Sequence, residues 1–309
     1  MLVIAVKREN VENAPVLAVD YLLIFAAVTT RFSNEISFTL TKSSLQFEGV
    51  GMAFKGLDLS GRTAVVIGGT SGIGHAVALG LAEAGADVIP TSRRLDLVEK
   101  TAGEIEALGR RSLRCASDVL DRASLERVLA ESIGAFGKVD ILVNCAGRTK
   151  RAPTLDFSEA DWNAILETNL TGTLRAAQVF GRHMIERGYG RIVNIASIAS
   201  FLALYEVAAY AASKAAVASL TKSLALEWGQ RGVCVNAIAP GVFPTDLNRS
   251  LLDGTPRGQE FLSRIPMKRF GNVNELCGAA IFLASESASY VNGATLVVDG
   301  GFLASGVNQ

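Results

Sequence analysis

From Gly61 onward short β-branched runs alternate with longer Ala/Leu-rich stretches. TAVVIG precedes HAVALGLAEAG, DVIPTS precedes LDLVEKTAGEIEALG, and SLRCAS precedes RASLERVLAESIGAFG. DILVNCAG then leads into a long helical stretch from Asp161 to Arg187. RIVNIAS leads into a second one near Ala209 to Gln230, and VCVNAIAP and TLVVDGG close the pattern. Strands alternating with helices imply crossover connections and a parallel sheet covered on both faces. With right-handed crossovers this is an α/β doubly wound Rossmann fold. The runs predict a seven-stranded parallel sheet in a three-layer αβα arrangement, occupying residues 56–309 as one domain.

Residues 1–55 lack this alternation. Their one apolar run, VLAVDYLLIFAAV from Val16 to Val28, is shorter than the roughly 20 residues of a spanning helix and is interrupted by Asp20. Glu9 and Glu12 stand where a secretory leader carries basic residues. The expectation is a weakly ordered extension or a start codon placed too early, with Met52 as the alternative start.

Thirty basic and thirty acidic side chains give zero formal charge, with no long run of either sign. That balance predicts neither a nucleic-acid surface nor a membrane-binding patch. The four cysteines, Cys115, Cys145, Cys234 and Cys277, are far apart in sequence. They read as reduced thiols of a cytoplasmic protein. His75 and His183 have no Cys, His or acid at ligand spacing, so no metal site is expected.

In a doubly wound sheet, ligands bind beyond the carboxyl ends of the strands. The first end reads GGTSGIG, Gly68 to Gly74, between a strand and a helix. Such glycines allow a tight turn and let backbone N–H groups at the helix start approach a pyrophosphate. At the second end, where an acid would bind an adenine ribose 2′-OH, stand Ser92, Arg93 and Arg94. Arg93 in that place favours a 2′-phosphate, hence NADP over NAD, with NAD still usable.

Further along lie Asp118-Val119, Asn144-Cys145-Ala146-Gly147, Asn169 in TNLTG, Ser197 in NIAS, Tyr210 and Lys214 in YAASK, and Pro240-Gly241 with Val242 and Thr245. In this order, from about Leu57 to Phe302, the sequence resembles the classical short-chain dehydrogenase/reductase family. It departs from the family pattern at Ile67, where a Thr is usual, and at Cys145, where an Asn is usual. The resemblance implies that Asn169, Ser197, Tyr210 and Lys214 are catalytic. It assigns Gly68, Thr70, Ser71, Gly72, Ile73, Gly74, Ser92, Arg93, Asp118, Val119, Asn144, Ala146, Gly147, Tyr210, Lys214, Pro240, Gly241, Val242 and Thr245 to the cofactor.

The chemistry of these side chains fits. Tyr210 and Lys214, one helical turn apart, share a face, and an ammonium near a phenol favours phenolate. Ser197 can donate a hydrogen bond to an oxygen gaining negative charge. The resemblance adds that Lys214 holds the nicotinamide ribose and that Asn169 anchors a water for proton relay.

The expected activity is NAD(P)-dependent interconversion of a secondary alcohol and a ketone. Arg148, Lys150 and Arg151 follow the fourth strand and either clamp a substrate carboxylate or simply solvate a loop. Arg148, Arg151, Ser197 and Tyr210 are thus the candidate substrate residues. The segment from Pro240 to Gly271 resembles the substrate flap of gluconate 5-dehydrogenases and related sugar-acid reductases, pointing to a sugar acid or polyol. Reduction of 3-oxoacyl groups on an acyl carrier protein is the enzymatic alternative. A non-catalytic dinucleotide-binding regulator is the alternative of another class. The family's habit of packing its two long helices against symmetry mates implies a homotetramer or homodimer, with Ala211, Ala215, Ala218 and Ser219 allowing close approach.

Overall fold

The computed structural model describes residues 55–306 apart from Leu247, together with a short antiparallel pair, Thr39–Thr41 with Ser44–Gln46. The chain divides into two units, 1–55 and 56–309. Apart from that pair, the expectations for residues 1–55 fall outside the described residues.

The second unit is built on six parallel strands: β1 (Thr63–Ile67), β2 (Asp87–Thr91), β3 (Ile141–Asn144), β4 (Gly190–Ile195), β5 (Val233–Pro240) and β6 (Thr295–Val298). Their spatial order is β2-β1-β3-β4-β5-β6. β1, β3 and β4 are buried along their whole length. Burial on both faces explains why β1 and β3 show no alternation of apolar and polar residues, while β4 also buries Arg191 and Asn194.

Helices α1 (Gly72–Glu83), α2 (Leu95–Ala107) and α9 (Cys277–Ala284) cover one face, and α3 (Arg122–Phe136), α5 (Gly172–Arg187) and α6 (Ala208–Trp228) cover the other. α4 (Glu159–Leu166) runs into α5 through a π-helical turn, Glu167–Thr171. α7 (Arg249–Leu252) and α8 (Pro256–Arg264) sit in the excursion between β5 and β6.

The sheet has six strands where seven are expected, because SLRCAS does not form one. It follows the outer edge of β2, where Val88 N–H donates to Arg111 O at 3.1 Å and Ser117 N–H to Ser92 O at 3.0 Å. Between them, the alternation that turns Val88 N–H outward also turns residue 90 outward, and that residue is Pro90. Proline has no N–H to give, so the ladder loses its middle rung. Side chains fill in: Ser112 Oγ donates to Val88 O and Thr91 Oγ1 to Cys115 O.

The chain passes from β1 outward to β2 and then returns to the opposite side of β1 with β3. Strand order reverses between β1 and β3, which opens a crevice at their carboxyl ends.

Candidate active site

The glycine-rich turn occupies that crevice. Gly68 N–H is tied to Thr91 O at 2.8 Å, holding the turn to the end of β2. A Cβ on Gly74 would lie 2.1 Å from Gly68 O, so only glycine lets the first turn of α1 fold back on the loop. Gly72 has φ +51°, and a Cβ there would approach the Thr245 methyl to 3.1 Å. Thr245 therefore caps the loop from the β5 side.

Ser71 is the N-cap of α1 but makes no side-chain capping bond. The unpaired N–H groups of this first turn, with the positive end of the helix dipole, suit an anion. Ile73 packs against the core beside them. These features fit a pyrophosphate.

The other residues expected to bind the cofactor follow the ends of the neighbouring strands. Thr70 Oγ1 donates to Ser92 Oγ at 2.9 Å, linking the glycine loop to the segment after β2. The neighbouring Arg93 is exposed, its guanidinium unpaired among the described residues. Asp118 Oδ1 accepts from Leu120 N–H at 3.0 Å. Val119 stands with Asn144, Ala146 and Gly172 around a crevice with no room for a water molecule. Asn144 Nδ2 donates to Asn194 Oδ1 at 2.9 Å, leaving its own buried Oδ1 without a partner.

Pro240 ends β5. Gly241 N–H donates to Val298 O at 2.8 Å, and Val242 O accepts from Gly271 N–H at 3.0 Å. Both bonds fasten the start of the excursion. Ile67 points into the core, and the Cys145 thiol, pushed up to about 11 by burial, lies against Gly74.

The four expected catalytic residues come together beside this crevice. Ser197, the N-cap of the turn after β4, accepts from Ala199 N–H at 3.1 Å and lies near enough to the Tyr210 phenol to act on its pKa. Lys214 is 6% exposed. Its Nζ donates to Ile195 O at 2.6 Å and lies 5.8 Å from the centre of the Tyr210 ring.

Asn169 sits in the π-helical turn, fully buried. Its Oδ1 accepts from Arg148 N–H at 2.8 Å, and its Nδ2 donates to Arg148 O and to Ser213 Oγ, both at 3.0 Å. The irregular turn thus aims a side chain at the end of β3, a common use of π-bulges. A Cβ on Gly147 would stand 3.5 Å from Asn169 Oδ1 and 3.8 Å from Lys214 Nζ, so Gly147 closes the cluster.

One electrostatic expectation is corrected. Lys214 does not pull the Tyr210 phenol down: burial raises it, and this outweighs the lowering effect of Ser197. Lys214 is itself lowered to about 8, chiefly by burial. Its ammonium is spent on a backbone carbonyl rather than on the phenol oxygen. The pair therefore presents a protonated phenol, an acid suited to quenching an alkoxide.

The loop after β3 is more heavily paired than its sequence suggests. Lys150 bonds Asp161, and Arg151 Nε pairs with Glu206 at 2.7 Å. Arg148 is exposed.

Sequence reasoning missed the residues that hold the site in place. Ser213 accepts from Asn169 and donates to Tyr210 O at 2.7 Å. Ser200 Oγ donates to Lys214 O at 2.7 Å, and Asn248 accepts from Thr245 N–H at 2.7 Å. Asn248 was the most legible of these, since Asn three residues after Thr suits a local turn.

The family model described as Enoyl-(Acyl carrier protein) reductase matches residues 68–303. A "2-dehydro-3-deoxy-D-gluconate 5-dehydrogenase" of Dickeya dadantii is 40% identical over 82% of this chain and 100% of its own length. A "D-threitol dehydrogenase" of Mycolicibacterium smegmatis is 42% identical over 79% of this chain and 94% of its own. The crystal structure of a gluconate 5-dehydrogenase from Burkholderia cenocepacia, in complex with NADP and tartrate, matches with TM-score 0.79 and 42% identity, covering 82% of this chain and 99% of that one. Similarity of this extent, in both sequence and fold, makes the chain a member of the short-chain dehydrogenase/reductase family.

Proposed function

We propose that this protein is an NADP-preferring oxidoreductase that interconverts a secondary alcohol and a ketone on a sugar acid or a polyol. The observation that carries this reading is buried Lys214, its Nζ 5.8 Å from the centre of the Tyr210 ring one turn away, with Ser197 beside the phenol and a glycine-rich helix start after β1.

NADP(H), when bound, supplies or takes up the hydride. The remaining work belongs to the chain. In reduction the Tyr210 phenol gives its proton to the substrate oxygen, and Ser197 donates a hydrogen bond to that oxygen as charge develops. The Lys214 ammonium holds the cofactor ribose and keeps positive charge beneath the phenol. Asn169, pinned by Arg148 and Ser213, orders the route by which the phenol is reprotonated.

Exposed Arg93 supports the preference for a 2′-phosphate, and the NADP and tartrate held by the Burkholderia protein agree with both cofactor and substrate class. The names of the relatives support sugar acids and polyols together. Among the described residues no helix is long and apolar enough to cross a membrane. A cytoplasmic homotetramer or homodimer accords with the small exposed residues of α6.

The test is NADPH oxidation with 5-keto-D-gluconate, a neutral ketose such as erythrulose, and a 3-oxoacyl thioester. The expected result is turnover of the first two at a rate far above the third. Preference for the thioester would move the assignment to acyl-carrier chemistry, the class named in the family model's description. Tight NADPH binding without turnover of any of them would leave a dinucleotide-binding regulator.

A further inference from the structure

Two arginines from separate loops reach the segment that leads into the catalytic helix. Arg151, on the loop after β3, pairs with Glu206, which lies four residues before Tyr210. Glu206 has a left-handed backbone (φ +63°), and its carbonyl accepts from Ala152 N–H at 3.0 Å. The loop carrying Arg151 is therefore stitched to the segment leading into the catalytic helix.

Arg257, in the first turn of α8, reaches the same segment from the excursion after β5. Its Nη1 donates to Tyr205 O at 3.2 Å, and its guanidinium stands over the Phe261 ring at 5.5 Å. The side chain is half-buried and has no carboxylate within ion-pair distance among the described residues. Burial and then repulsion from Arg151 lower its pKa, against the opposing attraction of Glu206 and Glu260.

Arg151 is thus paired with Glu206, while Arg257 reaches the same segment only at the Tyr205 carbonyl. Lys150, the neighbouring cation, is already neutralised by Asp161. A partly desolvated cation without a counter-charge is unfavourable by itself, and a planar carboxylate answers it with two parallel hydrogen bonds. Its position on α8, separate from the Tyr210 cluster, suits a group at the far end of the substrate from the reacting carbon.

We propose that Arg257, assisted by Arg151, determines specificity by clamping the carboxylate of a sugar acid at the mouth of the active site. This rests on the sugar-acid half of the function proposed above. A neutral polyol or ketose gains nothing from the clamp and is served by Ser197 and Tyr210 alone.

The experiment compares wild type, Arg257→Gln and Arg257→Lys, each saturated with NADPH. KM and kcat are measured for 5-keto-D-gluconate and for erythrulose, and tartrate binding is followed by calorimetry. The clamp predicts that Arg257→Gln raises KM for the keto acid by about 10- to 100-fold, the range expected for a charged hydrogen bond. It also predicts kcat and both erythrulose parameters within about twofold of wild type, and partial recovery in Arg257→Lys. Equal losses on both substrates, or no loss on either, would overturn it, since a purely structural Arg257 affects acid and neutral substrate alike.

Should wild type reduce erythrulose but no keto acid, the sugar-acid reading falls, and calorimetry decides the clamp separately. Tartrate binding to wild type that is lost in Arg257→Gln sustains a carboxylate site, and equal or absent binding in the two removes it.

Discussion

The titration of two side chains sets the chemistry at the residue scale. Tyr210 is held protonated by burial, and Lys214 keeps its proton only up to about 8. Tyr210→Phe is expected to lower kcat by about 10²- to 10⁴-fold, the usual worth of a positioned acid, with NADPH affinity unchanged. Lys214→Ala is expected to damage both. The pH dependence follows from the direction of the lysine shift. If bound cofactor prefers the ammonium, affinity is full below about 8, and the dissociation constant for NADPH rises up to tenfold per pH unit above it. Fluorescence titration of NADPH between pH 7 and 9.5 measures this, and a flat profile would remove Lys214 from cofactor binding. The identities of Tyr210, Lys214, Ser197 and Asn169 were legible because side-chain type and spacing carry them. The direction of the Tyr210 shift was not. It follows from how deeply the folded chain buries the phenol, which no motif encodes.

At the scale of elements, the end of β2 illustrates both what the sequence reveals and what it hides. The alternation of strands and helices was readable throughout, yet SLRCAS looked like a strand and is not one. The fault lies in its neighbour, because Pro90 removes the N–H that would have paired with it. A strand is a property of two segments, so its own pattern cannot guarantee it. The same strand end carries the cofactor preference. Thr70 fixes Ser92 to the glycine loop, and the exposed guanidinium of Arg93 follows at once. Arg93→Ala is expected to weaken NADPH by about 10- to 100-fold, the worth of a charged hydrogen bond, while leaving NADH within about twofold. Dissociation constants for the two cofactors check this, and equal effects on both would refute the phosphate role.

For the whole molecule, α6 performs two tasks on opposite faces. Ser213, Lys214, Val217, Ala218, Leu224 and Ala225 are buried toward the sheet and the active site. Ala212, Ala215, Ser219 and Leu226 lie exposed along the other side, with Leu226 85% exposed. The small residues along the sequence suggested a packing surface, but Ala218, one of those expected in it, faces inward. Helical phase decides this: Ala218 lies one turn beyond Lys214 and so shares its buried side. An exposed row of small side chains ending in a leucine lets a second helix approach closely, as the proposed homodimer or homotetramer requires. Ala215→Arg places a long cation in the middle of that row. Arginine is a good helix former, so the fold should survive the change. The expected result in light scattering is a fall from the wild-type mass to that of one chain, with NADPH still bound. An unchanged mass would move the subunit contact elsewhere, and the edge strand β6, with Leu296 and Val297 each 37% exposed, would be the next surface to alter.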